Sequence, residues 1–141
     1  DPALRHVAVA FVGLAASVAW GIALWNDPGN LRRWAAYVTV ATLAWLLMLV
    51  IGILAKLLTH LSYLNLFRTM PGFARAGNPN LLLRPDWMDG ALALLALGAF
   101  GLPVAIERGH EQAAIAAAAV WSAGAALTLA NYVRMFARGR R

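Results

Sequence analysis

The chain has 141 residues, 62% hydrophobic and 13% charged, with a formal net charge of +6 and no cysteine. A soluble domain carries about 25% charged residues; here the deficit comes from long uncharged runs, so a conventional water-soluble core is excluded. Without cysteine, disulfides, thiolate metal sites and thiol catalysis are excluded as well.

The first uncharged run, Val7 to Trp25, has nineteen residues and is just long enough to span a bilayer as a helix. Arg5 and His6 precede it. Asn26-Asp27-Pro28-Gly29 ends it with turn chemistry, and Asn30 is placed to cap the next helix. The second run is uncharged from Trp34 to Ala55, 22 residues. As a helix it covers about 33 Å, against a hydrocarbon thickness of about 30 Å. The helical pattern continues past Lys56, with Leu57, Leu58, Leu61 and Leu64 on one face, which predicts an extension beyond the span at 34–58. Pro71-Gly72, Gly77 and Asn78-Pro79 then break the chain. Leu81-Leu82-Leu83 is expected to pack under the bundle or enter the headgroup layer.

Asp86 and Asp89 announce a third helix. Asp86 is read as its cap, and both carboxylates suit the positive end of the helix dipole. The span is predicted at 88–106, with a kink or early end near Ala99 because Pro103 removes a backbone hydrogen bond. A polar turn, Glu107 to Glu111, leads to a fourth span at 112–136, closed by Arg138, Arg140 and Arg141.

These elements define an all-α integral membrane protein. It is a single domain over 1–141, with four transmembrane helices and a partly helical cytoplasmic loop at about 59–87. Lys and Arg number nine on the side holding both termini and the long loop, against three on the other. The positive-inside rule therefore puts both termini in the cytoplasm, for which a bacterial inner membrane is the expected setting. Trp25 and Trp34 mark the outer interface and Trp87 the inner one. Starting on Asp1 and not on Met, the sequence is expected to have lost a signal peptide or a trimmed start.

No Asp, Glu, Lys, Arg or His lies inside the uncharged core of any of the four spans. An ion-coupled transporter keeps such a group in the membrane, and a hydrolase needs a base beside a nucleophile. The expectation is therefore a non-catalytic protein. Small residues recur every four positions: Gly13, Ser17 and Gly21 in the first helix, and Ala114, Ala118, Ser122, Ala126 and Ala130 in the fourth. Such stripes let helix backbones approach in lipid, either within this bundle, the reading favoured by four spans in one chain, or against another subunit.

Near the midplane, Ser17, Thr42, Trp45, Trp121 and Ser122 need hydrogen-bond partners, in one another or in the preceding turn. Trp45 and Trp121 suggest packing first and a slot for a quinone, lipid tail or pigment second. His6 and His60 are ordinary interfacial histidines or, on the sharper reading, axial haem ligands. Arg68, Arg75, Arg84, Arg134, Arg138, Arg140 and Arg141 are read as topology signals that contact anionic headgroups. Nucleic acid is not expected, because no binding motif accompanies the charge. No cofactor is required and bound lipid is expected; haem and quinone are the alternatives.

The function this pattern favours is an accessory subunit of a larger membrane complex, respiratory or photosynthetic in type. The rivals are a homo-oligomeric pore or carrier for a neutral or lipidic solute, and a quinone-, pigment- or haem-binding subunit.

Overall fold

A computed structural model describes residues 1–67 and 83–138 of the chain. Among them there is no strand, and four helical rods are long and apolar enough to cross a membrane: Ala3–Asn26, Leu31–Leu64, Pro85–Arg108 and Glu111–Ala137.

Helix α1 is Pro2–Asn26, five residues longer at its start than the apolar run suggests. Asp1 caps it, accepting the Ala3 N–H at 3.0 Å, and Pro2 sits where its missing N–H costs nothing. After the turn, Asn30 caps the next rod by accepting the Arg33 N–H at 3.1 Å, as its position predicts. That rod is α2 (Leu31–Thr39), a π-helical segment (Val40–Leu47) and α3 (Met48–Phe67), joined without a break. α4 is Pro85–Arg108 and α5 is Glu111–Arg138.

The π-helical segment has a geometric reason. From Ala36 to Gly52 the buried positions of the second rod are Ala36, Val40, Ala44, Met48 and Gly52, a strict repeat of four, with Ala55 and Thr59 buried beyond them. In an α-helix each such step drifts about 40° round the axis, so the series would wind about 160° and leave the interface. The wider i→i+5 turn drifts the other way. Placed in the middle of the series, it keeps all five positions facing α1 and α4.

Three layers of side chains fill the bundle. Ala3, Ala55, Leu83, Met88 and Met135 pack at the end that holds the N-terminus. Ala10, Met48 and Leu95 form the next layer, and Val40, Ala44 and Ala99 the third. Trp121 packs against both of the latter. α4 and α5 pack along each other more extensively than any other two helices. At their crossing a Cβ on Gly98 would lie 2.7 Å from the Trp121 backbone nitrogen and 2.8 Å from the Ala117 carbonyl. Only a glycine allows backbones that near.

Two local expectations are corrected. Asp86 does not cap α4: the helix starts one turn earlier than the predicted span, with Arg84 at the cap and Pro85 first, leaving Asp86 in the first turn. Nor does α4 end near Ala99. Pro103 is buried inside a helix that continues to Arg108, with α5 packed along it. Leu83 is buried beneath the bundle as expected; residues 68–82 and 139–141 lie outside the described ones.

Candidate functional site

The end of the bundle that holds Asp1 is stitched by polar contacts. Lys56 pairs with Asp1 at 2.5 Å and Arg5 with Asp89 at 2.6 Å. Asn131, fully buried near the end of α5, reads the backbone of Arg84 like a second strand: its Oδ1 accepts the Arg84 N–H and its Nδ2 donates to the Arg84 carbonyl, both at 3.2 Å. The Tyr132 hydroxyl donates to the Ile51 carbonyl at 3.1 Å, joining α5 to α3.

Beside this lock lies a basic cluster. The Arg84 guanidinium carbon is 5.4 Å from the Trp87 ring centroid and that of Arg134 is 5.7 Å away, within cation–π range for both. Of the basic residues expected at headgroups, these two are brought together. Arg138 closes α5, and Arg68, Arg75, Arg140 and Arg141 lie outside the described residues.

Between α1 and α3, at the same end, runs a groove of about 430 Å³. Its floor is apolar, with Ala3, Val7, Gly52 and Ile53, and Lys56 and His60 stand on its wall. His6 is fully buried level with Gly52, whereas His60 is exposed. Eight residues separate Gly52 from His60, about 12 Å along the axis, so the two imidazoles are not gathered at one point. No group of three or more His, Asp or Glu able to hold a metal occurs among the described residues.

Near the middle of the rods the hydroxyls turn inward on their own helices. Ser17 donates to the Leu14 carbonyl at 2.7 Å and Ser122 to Ala118 at 2.8 Å. Thr42 is exposed. Trp121 lies where the helices meet, and its buried indole N–H has no hydrogen-bond partner among the described residues. Trp45, on the second rod, is half-buried, as is Trp121.

At the opposite end Glu107 is held between two helices. Its Oε1 accepts from Arg33 Nε at 3.0 Å and its Oε2 from Trp20 Nε1 at 2.9 Å. Arg33 also reaches Asp27 at 3.5 Å. This acid, read from the sequence as part of a polar turn, ties α1, α2 and α4 together. Trp20, Arg33 and Glu107 are far apart in the sequence, so no local pattern marks the contact.

The small-residue stripes part company. Gly13 and Ser17 are buried against the second rod, with Gly21 partly so. On α5 the buried line is Gly124, Thr128, Asn131 and Met135. The predicted stripe is set away from it. Ser122, Ala126 and Ala130 are exposed and Ala114 and Ala118 only partly covered by the described residues. Just 11% of the apolar stretch of α5 is buried by the rest of the chain.

The arrangement defines a class: a helical bundle whose rods match a membrane in length and hydropathy, with its described ion pairs at the two ends. Comparisons with models of protein families, with curated proteins and with solved structures find no match to the chain.

Proposed function

We propose that this chain is an integral membrane protein, with both termini cytoplasmic in a bacterial inner membrane, that serves as a non-catalytic accessory subunit of a larger membrane complex. The observation that carries the reading is the outer face of α5. Of its small residues Ser122, Ala126 and Ala130 are exposed, and Ala114 and Ala118 are only partly covered by the described bundle. In lipid, apolar bulk gives helices no drive to associate, and small residues that allow close backbone contact supply it. The sidedness rests on the excess of Lys and Arg at the end holding the termini.

Native mass spectrometry after extraction of the full chain in mild detergent tests the proposal. A heteromeric complex, lost on Ala118→Trp or Ala126→Trp while the bundle keeps its thermal stability, is expected. A lone monomer from native membranes overturns it, and a homo-oligomer with solute flux in liposomes favours the pore or carrier instead. The groove beside Lys56 and His60 favours a second reading, a subunit that holds a lipid or quinone; an extract of the purified protein that contains neither counts against it.

A further inference from the structure

We propose that Trp25, Trp34 and Tyr37 form an aromatic cage for a hydrophobic organic cation of the quaternary ammonium or phosphonium kind. The cage stands in the elbow of the first hairpin, at the end of the bundle away from Asp1. It does not depend on the subunit reading, which rests on α5.

Three features carry it. The first is a cavity of suitable size and lining. Gly21, Leu24, Trp25, Pro28, Trp34 and Tyr37 line a space of about 610 Å³, within the roughly 300–1,000 Å³ of small-molecule sites. Trp34 and Tyr37 stand edge to face, their ring centroids 6.1 Å apart and their planes at 85°. A guest in the corner between them meets a face of each ring, and Gly21 puts no side chain into the space. Ring faces carry the negative part of the aromatic quadrupole, and cations bind there.

The second feature is that one wall is fixed in advance. Trp34 Nε1 donates to the Pro28 carbonyl at 3.0 Å, which holds the indole against the turn. Trp25, near the end of α1, is 88% exposed, so most of its ring is open to a guest. A membrane interface also collects indoles, but that preference requires neither the cavity nor the anchored ring.

The third feature is the charge. Among the described residues no Lys or Arg lines the cavity. Arg33 is turned to Glu107 at 3.0 Å, and the Arg32 guanidinium lies against Gly109 in the turn between α4 and α5. Asp27 adjoins Pro28 and keeps a half-exposed carboxylate, whose Oδ2 accepts from Asn30 at 3.2 Å and meets Arg33 at 3.5 Å. Asp27, Glu107 and Glu111 balance Arg32, Arg33 and Arg108, so the formal charge of this end cancels although the chain carries +6. A cation is therefore welcome here as nowhere else on a basic chain. An anion would face the ring quadrupoles with like charge.

Equilibrium dialysis of the full chain in a nonionic detergent, corrected against empty micelles, tests this with tetraphenylphosphonium and tetraphenylborate, ions of one shape and opposite charge. The net charge of +6 favours the borate on general grounds, so a preference for the phosphonium has to come from a local site. That preference is expected. Trp25→Leu and Trp34→Leu should each lower phosphonium binding about fivefold and leave the borate unchanged. Trp25 is exposed enough that its replacement does not threaten the fold. Trp87→Leu, at the other end of the bundle, should alter neither. Equal binding of the two ions reduces the cavity to an apolar slot and overturns the proposal, as does a preference for the borate. A phosphonium preference that both leucine variants keep lies elsewhere on the chain and overturns it too. So does a lipid retained by the wild type, lost from Trp34→Leu and not displaced by saturating phosphonium, which would assign the cavity to lipid.

Discussion

Gly13 presses its Cα against the peptide between Ala44 and Trp45, in the middle of the π-helical segment, so that a Cβ there would sit 2.8 Å from the Trp45 nitrogen. Side chains cannot yield at this contact, because the opposing atoms are backbone. Gly13→Ala should therefore destabilise the bundle by about 1–3 kcal/mol through overpacking, in spite of alanine's better helix propensity. Gly21, whose Cβ would meet Tyr37 at an ordinary 3.5 Å, is the control: Gly21→Ala should be neutral or stabilising. Thermal unfolding in detergent, followed by circular dichroism, separates the two.

The drift argument for the π-helical segment makes a prediction about deletions. Removing the exposed Thr42 shortens one interval of the four-residue repeat and lets the segment return to α-geometry with its buried face nearly unchanged. The protein should remain folded with a modest change in melting temperature. Removing the exposed Leu54 turns Ala55 and Thr59 out of the interface by about 100° and should abolish cooperative unfolding. Equal damage from both deletions would refute the geometric account.

Glu107 bridges Trp20 and Arg33 in a half-exposed setting, so its contribution is that of a hydrogen-bonded pair near a membrane surface. Combining Trp20→Phe with Glu107→Gln in a double-mutant cycle should give a coupling energy of about 0.6 kcal/mol. Glu107→Ala, which takes both acceptors away, should cost more than either single change.

Asn131→Leu takes away the partner of the Arg84 backbone N–H, while the Arg84 carbonyl keeps the Met88 N–H at 3.1 Å, and a loss of about 1–3 kcal/mol is expected. Asn131→Asp keeps the acceptor and loses the donor, adding a charge at a buried position. Faster hydrogen exchange at the Arg84 amide in the leucine variant would place the effect at this contact.

How far the amino-acid order led can be judged at particular residues. The four rods were legible because uncharged runs of about twenty residues have one common explanation, and Asn30 was legible because caps are a local matter. The start of α4 was misjudged by a few residues, since Pro85 is tolerated at a first helical position and an acid in the first turn mimics a cap. Pro103 looked like a stop on local rules, which contain nothing of the α5 packed along it. The period of four in Ala36, Val40, Ala44, Met48 and Gly52 was present all along. Its meaning depends on knowing that one face must serve two neighbours. The α5 stripe was visible as a pattern, but which way it faces is set by Gly124 and Asn131, whose contacts are 29 and 47 residues away in Leu95 and Arg84.

The Asn131 lock has a consequence for biogenesis. It joins the first residues of α4 to the last turns of α5, so the second pair of rods fastens its own open end, as Asp1 and Lys56 do for the first pair. Each hairpin is thus a closed clasp that a translocon can release whole into the bilayer. Two polypeptides, 1–67 and 83–141, made from separate messages should meet there and rebuild the bundle.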